Sequence, residues 1–317
     1  MRARLVACAL VVAASHTYGQ TYPTKPVRLI TSAPGGSIDF VARVMAPGLS
    51  EALGKPVVVD NRGGAGGIIA CEALAKAAPD GYTLLVYNNG MWTLQLMQSV
   101  PYDPLKDFAP ITAAAASPAI LVVHPALPVR SVKELIALAK EKPGQLNYAG
   151  GGAGSQNFMA AELFKSMAGG LKIVNVPFKG GGPAVVALLA GEVQLMFASA
   201  PSVATHVKSG RLRALAITST EPSTLFPGMP TIAASGVPGY EVVSLYGVFT
   251  PAGTPSTIIS RLRQEVVQIL SEPDVKQKLS GAGMEVIAST PEALTQKMHA
   301  EIVAMAKVFK DAGIRAK

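Results

Sequence analysis

The sequence predicts an α/β protein of two lobes, each a mostly parallel sheet flanked by helices, hinged by two chain crossings. Short apolar strands alternate with amphipathic helices over 27–87 and again from 131, as in parallel sheets with right-handed crossovers. A chain of 317 residues with 49% hydrophobic residues is long enough for two cores. The helices predicted after 251 each have an apolar face that must pack against a core. We assign that packing to the first lobe. The predicted lobes are therefore 20–124 with 241–317, and 125–240.

The first unit is a strand over 27–31, a Pro-Gly-Gly-Ser turn and an amphipathic helix. Gly35 and Gly36 form the turn, Ser37 is placed to start the helix, and Asp39 lies in its first turn. Backbone N–H groups and the helix dipole make such a junction an anion site. A plain strand-to-helix turn is the alternative. Pro47 predicts a kink or an early end of this helix because it lacks a backbone donor.

The next units are a strand over 57–60, a glycine-rich loop over 61–67 and a helix over 68–77. The loop resembles a dinucleotide fingerprint, but Ile69 occupies the place of its third glycine, so we expect neither NAD nor another cofactor. A third strand over 82–87 ends in Tyr87, Asn88 and Asn89. Ligands of such sheets bind beyond the carboxyl ends of the strands, so these three residues share a predicted rim with the first turn.

A second group of α/β units begins at 131, after a strand over 119–123 and a connector. Its strand over 145–149 leads into a second glycine-serine turn, from Gly150 to Ser155, and a helix over 156–167. This turn strengthens the anion-site interpretation of the first. The remaining predicted elements are strands over 172–177, 193–197, 213–218 and 241–250, with helices from 183, 200, 255, 273 and 291.

The N-terminus has the features of a secretory signal peptide over 1–19. Arg2 and Arg4 precede a short apolar run, and small residues lead to a cleavage site before Gln20. Cys8 lies very early for a lipoprotein attachment site, which is the alternative. After cleavage Cys71 is the one remaining cysteine, so no intramolecular disulfide is expected. No later stretch is long and apolar enough to cross a membrane, and we expect an exported, soluble, periplasmic protein.

Composition and motifs disfavour several function classes. The net charge is +8, but Lys and Arg are dispersed without a nucleic-acid-binding motif, so no nucleic-acid partner is expected. No Gly-x-Ser-x-Gly or His-Glu-x-x-His motif occurs, so we predict neither an enzyme nor a metal site. An α/β hydrolase or transferase with a dispersed triad remains the alternative, as does a periplasmic sensor module that presents its ligand to a signalling partner.

Several segments in order resemble the extracytoplasmic receptors of tripartite tricarboxylate transporters, the Bug family. They span nearly the whole mature chain and include 22–28, 34–39, 57–67, 79–85, 101–108, 142–148, 176–180 and 210–216. The resemblance implies a two-lobed, type II periplasmic-binding-protein fold that delivers a small carboxylate to a membrane permease. It also implies that backbone amides and water, on loops matching 35–39 and 152–156, trap the carboxylate between the lobes. We expect a monomer.

The predicted ligand-binding residues combine the rim with these loops. They are Gly35, Gly36, Ser37, Asp39, Tyr87, Asn88, Asn89, Gly152, Ala153, Gly154, Ser155, Gln156, Phe178 and Ala198. Asp39 is expected to cap or orient its loop, because two carboxylates repel.

One departure from the family pattern bears on the ligand. Family members often carry Asp where Ala198 follows Met196-Phe197. The missing carboxylate removes a partner for an ammonium group. Our hypothesis is therefore a di- or tricarboxylate, or an aromatic acid near Tyr87, Trp92 or Phe178, rather than an amino acid. These aromatics are ordinary packing residues in the alternative interpretation.

Overall fold

The structure is a computed structural model that describes residues 22–32, 34–151, 155–178, 181–223 and 225–311. The predicted signal peptide with Cys8, and Gly152, Ala153 and Gly154 of the second turn, lie outside the described residues. Within the ranges described, no helix combines the length and hydropathy that a membrane span requires.

Strands and helices alternate along the chain as predicted. The strands are β1 (Val27–Thr31), β2 (Val57–Asn61), β3 (Thr83–Asn88), β4 (Phe108–Val123), β5 (Leu146–Gly150), β6 (Ile173–Pro177), β7 (Leu195–Ser199), β8 (Arg213–Ile217), β9 (Val243–Pro251) and β10 (Glu285–Val286). The helices are α1 (Ser37–Leu53), α2 (Ile68–Ala75), α3 (Gly90–Thr93), α4 (Val132–Glu141), α5 (Gln156–Met167), α6 (Gly181–Leu189), α7 (Ala200–Lys208), α8 (Ser256–Ser271), α9 (Pro273–Gly281) and α10 (Pro291–Asp311).

The strands form a sheet with the order β2-β1-β3-β9-β4-β7-β5-β6, and β8 and β10 pair with β4. In the first lobe β1 is parallel to β2 and β3, and β9 is antiparallel to its neighbours β3 and β4. In the second lobe β5 is parallel to β6 and β7. The observed architecture is thus the predicted two-lobed α/β fold, with mostly parallel strands flanked by helices.

One long strand, β4, runs through both lobes. The sequence predicts a separate strand over 119–123, whereas β4 is continuous over 16 residues. Its residues 108–118 pair with β9, and its residues 119–123 pair with β7 and β8. Nearly every β4 side chain is buried, so the strand lies inside the protein over almost its whole length. It therefore provides one of the two crossings between the lobes.

The second crossing is the return over 218–242, and it is hydrogen-bonded to β4. Thr218 is fully buried, and its N–H donates to the Ala119 carbonyl at 3.0 Å. The Ala119 N–H donates to Thr218 Oγ1 at 2.7 Å, and the Val242 N–H donates to the Thr218 carbonyl at 2.9 Å. Thr218 thus joins the two crossings where the chain passes between the lobes.

The helix α1 continues through Pro47 and ends at Leu53, so the expectation of an early end is wrong. The missing donor of a proline removes one hydrogen bond. Val41, Met45 and Leu49 are fully buried on one face, and this packing holds the helix together across the proline. The helix stops at Gly54, whose φ of +63° provides a left-handed C-cap.

The C-terminal helix α10 packs on both lobes. Leu294 and Met298 in its first half belong to a core cluster of the first lobe. Met305, Val308 and Phe309 near its end belong to a core cluster of the second lobe. The other terminal helices, α8 and α9, contribute to a core cluster of the first lobe.

Candidate functional site

A cleft of about 450 Å³ opens between the lobes at the carboxyl ends of β1, β2 and β3. The start of α5 closes it from the second lobe. Its lining residues are Ser32, Pro34, Gly36, Ile38, Gly63, Gly64, Gly66, Gly67, Tyr87, Asn88, Asn89, Gly90, Thr93, Ser155, Gln156, Met159, Val242 and Ser244. No charged side chain is among these described lining residues, and six are glycines, so much of the available polar surface is main chain.

The first turn reaches the cleft through Gly36, which is the N-cap of α1. Ser37 is the first residue of the helix, and Gly36 has an extended backbone with φ −86° and ψ 169°. Because glycine has no side chain, the cap offers no acceptor to the first N–H groups of the helix. Those N–H groups and the helix dipole therefore favour an anion at this end of the cleft.

Asp39 lies beside the cleft and holds the first turn in place through a hydrogen bond. It is 3% exposed and accepts hydrogen bonds from the Gly35 N–H at 2.9 Å and from Asn61 Nδ2 at 2.7 Å. Arg43 Nε donates to both carboxylate oxygens, at 2.9 and 3.0 Å. Burial acts to raise the pKa of Asp39, but the hydrogen bonds from Arg43, Asn61 and Gly35 outweigh it and lower the pKa.

The end of β3 supplies three lining residues, as predicted. Tyr87 is buried, and its hydroxyl lies 3.4 Å from the Gly66 carbonyl. Asn88 Oδ1 accepts the Gly90 N–H at 3.1 Å. Asn89 Nδ2 donates to the Val243 carbonyl at 3.1 Å. These bonds hold the strand end and the start of α3 together at the edge of the cleft.

The glycine-rich loop after β2 lines the cleft, although none of its residues was predicted to bind the ligand. Gly64, Gly66 and Gly67 all have positive φ, of +115°, +67° and +105°. A Cβ on Gly67 would lie 1.9 Å from the Tyr87 hydroxyl oxygen, so this backbone touches the ring directly. Its position after a parallel strand at the same sheet edge is the signal that would have identified it.

The second lobe contributes the start of α5. Ser155 is the N-cap of this helix, and its Oγ accepts the Phe158 N–H at 3.3 Å. Gln156 and Met159 line the cleft beside it, and Gln156 Nε2 lies 3.4 Å from the Ser117 carbonyl of β4. The cleft therefore contains the starts of two helices, one from each lobe.

Five predicted residues lie away from the cleft lining, namely Gly35, Ser37, Asp39, Phe178 and Ala198. The exposed Ser37 is within hydrogen-bonding reach of Tyr246. Phe178 lines a separate cavity of about 310 Å³ in the second lobe, together with Ser155 and Ser199. Ala198 is fully buried within β7, in a core cluster of that lobe. Gly35 lies in the turn that Asp39 holds.

Trp92, one of the aromatics considered for an aromatic ligand, is a packing residue. It is fully buried, and its ring meets Phe249 edge-on at 6.2 Å between centroids. Its Nε1 donates to Glu301 Oε2 at 3.0 Å. Of the aromatic rings considered, Tyr87 is the one on the cleft lining.

Comparison with known proteins agrees with this geometry. The chain is 40% identical over 301 residues to Protein BugT of Bordetella pertussis, which covers 94% of this chain and 92% of that protein. It is similar to the solved structure of R. palustris Rpa4515 with adipate, with a TM-score of 0.78 and 36% identity over 93% of this chain and 100% of that chain. It is also similar to MatC (Rpa3494) from Rhodopseudomonas palustris with bound malate, with a TM-score of 0.74 and 30% identity over 90% of this chain and 99% of that chain.

Residues 41–314 match the family described as tripartite tricarboxylate transporter family receptor. The resemblance drawn from the sequence segments is thereby confirmed. The chain belongs to the tripartite tricarboxylate transporter family of receptors, with Bug proteins among its relatives.

Proposed function

We propose that this protein is a periplasmic solute-binding receptor that captures a small carboxylate between its lobes and delivers it to a membrane permease. One observation carries the proposal: the cleft contains the starts of α1 and α5, and its described lining has six glycines and no charged side chain. A favourable helix start contributes about 0.3–1 kcal/mol, and up to about 2 when partly buried. Two such starts with several N–H donors can bind a carboxylate without an arginine.

The ligand class we propose is a di- or tricarboxylate. Adipate and malate occupy two solved relatives, and both are dicarboxylates. An aromatic acid is less favoured, because Trp92 is fully buried and Phe178 faces another cavity. An amino acid is disfavoured because the described lining holds no carboxylate for an ammonium group. Ala198 is fully buried, so the absence of a carboxylate at position 198 says nothing about the ligand. The uncharged lining of the cleft is what disfavours an amino acid.

For the binding residues, we propose the loops at Gly35–Asp39, Tyr87–Asn89 and 152–156, with the glycine loop 63–67 added. In this assignment Asp39 orients the first turn and does not touch the anion. The sequence also proposes Phe178 and Ala198 as ligand-binding residues, but neither lies on the cleft lining. For the lobes we propose the boundaries 20–124 with 241–317 and 125–240. The end of β4, over 119–123, is the exception, because it pairs with β7 and β8 of the second lobe.

Titration calorimetry with a panel of dicarboxylates, tricarboxylates, aromatic acids and amino acids tests the proposal directly. At a ligand concentration of 100 times Kd, a binding acid raises the unfolding free energy by about 2.7 kcal/mol, which thermal unfolding detects. Binding of a di- or tricarboxylate is the expected result. Tight binding of aspartate or glutamate alone would overturn the ligand class, and failure of every carboxylate would overturn the function.

Catalysis is not part of the proposed function. The Ser155 hydroxyl accepts the Phe158 N–H, and no histidine occurs among the described lining residues to activate a serine. A hydrolase would need such a base. Incubation of the captured acid and its esters and thioesters with the protein should leave them unchanged, and turnover would favour the hydrolase or transferase alternative.

The export and partner proposals need separate experiments. We propose that a signal peptide over 1–19 is removed before Gln20, which the mass of the protein recovered from the periplasm tests; a lipid on Cys8 would give a heavier, membrane-bound product. We propose a monomer, which light scattering tests. Crosslinking to membrane proteins in the presence of ligand separates a permease from a signalling partner.

A further inference from the structure

One carboxylate of the helix α10 contacts a residue of the cleft lining. Glu301 Oε1 accepts a hydrogen bond from Asn89 Nδ2 at 2.6 Å, and Glu301 Oε2 accepts from Trp92 Nε1 at 3.0 Å. Asn89 lies on the cleft lining, whereas Trp92 is fully buried behind it. A residue near the end of the chain therefore contacts the amide of a residue in the binding site.

This contact determines which atom of the Asn89 amide is left for a ligand. The amide nitrogen has two hydrogens, one donated to Glu301 and the other to the Val243 carbonyl at 3.1 Å. Its oxygen has no hydrogen-bond partner among the described residues and is not enclosed, so it stays accessible as an acceptor.

The neighbouring asparagine has the opposite arrangement. Asn88 Oδ1 accepts the Gly90 N–H at 3.1 Å, so its amide nitrogen remains as a donor. Both residues line the cleft. The end of β3 thus offers a donor from Asn88 and an acceptor from Asn89, side by side in the chain. An ionised carboxylate accepts hydrogen bonds and cannot donate, so it suits Asn88 but not Asn89.

We infer that Glu301 is a positioning residue, which holds the Asn89 amide with its oxygen as the free acceptor and so favours carboxylates that also carry a hydroxyl. The inference rests on the proposed function. The hydroxyl donates to Asn89 Oδ1, and a carboxylate oxygen accepts from Asn88 Nδ2. An acid without the hydroxyl leaves the Asn89 oxygen without a ligand partner.

The chemistry of position 301 supports this role. Burial raises the pKa of Glu301, and the hydrogen bonds from Asn89 and Trp92, with the charge of Lys297, offset this only in part; Glu241 adds to the rise. A glutamine would avoid burying a charge. In the observed geometry, however, Asn89 Nδ2 donates to one oxygen and Trp92 Nε1 to the other. A glutamine in the same position would set its own NH2 group against one of these two donors, whereas a carboxylate accepts from both.

A purely structural role for Glu301 makes a different prediction. Its two bonds tie α10 to the first lobe, so its loss should lower stability and weaken every ligand by the same factor. The ratio of affinities for two acids that differ by one hydroxyl is insensitive to such a general loss. That ratio therefore separates positioning of the Asn89 amide from support of the fold.

The experiment compares dissociation constants for two matched pairs, succinate with L-malate and adipate with 3-hydroxyadipate. We expect the wild-type protein to favour the hydroxy acid of the pair it binds by about three- to tenfold. In Glu301→Gln the preference should fall toward one, and Asn89→Ala should abolish it because the acceptor oxygen itself is removed. Glu292→Gln is the matched control, because it changes an exposed carboxylate in the first turn of the same helix.

Affinities for the four acids separate the role of Glu301 from the receptor function. If the wild-type protein binds an acid pair and Glu301→Gln keeps the hydroxyl preference, or the wild type shows none, the inference is overturned and the receptor function stands. If the wild type binds none of the four acids, the inference is overturned, and the proposed function falls only if the whole carboxylate panel also fails to bind. Loss of the preference in both site variants, but not in the control, supports the inference.

Discussion

The backbone N–H of Gly35 donates a hydrogen bond to Asp39 Oδ2 at 2.9 Å, which ties the exposed turn to a buried carboxylate of α1. The same carboxylate binds Asn61 at the end of β2, so one side chain holds two neighbouring loops of the first lobe. Asp39 therefore shapes the rim of the cleft without lying on its lining.

This arrangement predicts a pH dependence of stability. The pKa of Asp39 is lowered in the folded state, so its stabilisation is complete above the unfolded pKa near 3.8. It is lost as the pH falls through the lower folded pKa. Asp39→Asn should reduce the unfolding free energy by about 1–3 kcal/mol at pH 7, with a smaller difference at acid pH. Urea titrations between acid and neutral pH measure this; a difference that grows as the pH falls would contradict it.

The close approach of the Gly67 backbone to the Tyr87 ring predicts that this position tolerates no side chain. A Cβ on Gly67 would lie 1.9 Å from the Tyr87 hydroxyl oxygen, at a φ of +105°. Gly67→Ala should destabilise the fold by about 1–3 kcal/mol and weaken carboxylate binding, because the loop or the ring must move. Gly210→Ala is the matched control, since its φ is also positive, at +73°, and its Cβ would meet nothing within 4 Å. Equal ligand affinity in both variants would exclude the loop from the site.

Ser155 predicts two effects that a control can separate. Ser155→Ala removes the cap of α5 and should cost about 0.5–2 kcal/mol of stability, while weakening binding at the second-lobe end of the cleft. Ser131→Ala removes the corresponding cap of α4, where Ser131 Oγ accepts the Glu134 N–H at 3.2 Å. The control should lose similar stability and bind normally.

A double variant tests the serines at the starts of α1 and α5 together. Ser37→Ala with Ser155→Ala should bind more weakly than either single variant, because the two residues begin helices on opposite sides of the cleft. Calorimetry on the folded double variant measures the change. Unchanged affinity would mean that neither serine hydroxyl takes part in binding.

Removal of the buried Thr218 hydroxyl should lower the unfolding free energy, because it bonds the two crossings between the lobes. Thr218→Val leaves the Ala119 N–H without the acceptor that it reaches at 2.7 Å, and this should destabilise the protein by about 1–3 kcal/mol. Thr205→Val on α7, at a largely exposed position, provides the control. Chemical unfolding measures both variants. A cost no larger at Thr218 than at Thr205 would show that the crossing does not depend on this bond.

Local sequence predicted much of the fold because its signals act over a few residues. The helix over 156–167 is observed as predicted, with Ser155 as its cap, because both periodicity and capping depend on near neighbours. The first turn and the end of β3 also lie at the predicted sheet edge, since parallel strands bring their carboxyl ends together. The early end predicted as one possibility at Pro47 was wrong, because burial along α1 outweighed a local rule.

The alternation of strands and helices, the two glycine-serine motifs and the family resemblance can be read from consecutive residues alone. The folded chain was needed to show that β4 is one strand through both lobes, that the loop 63–67 lines the cleft and that Trp92 is buried. It also placed Glu301 against Asn89, 212 positions away along the chain. Such contacts depend on how the sheet and α10 pack, and spacing along a single segment carries no information about them.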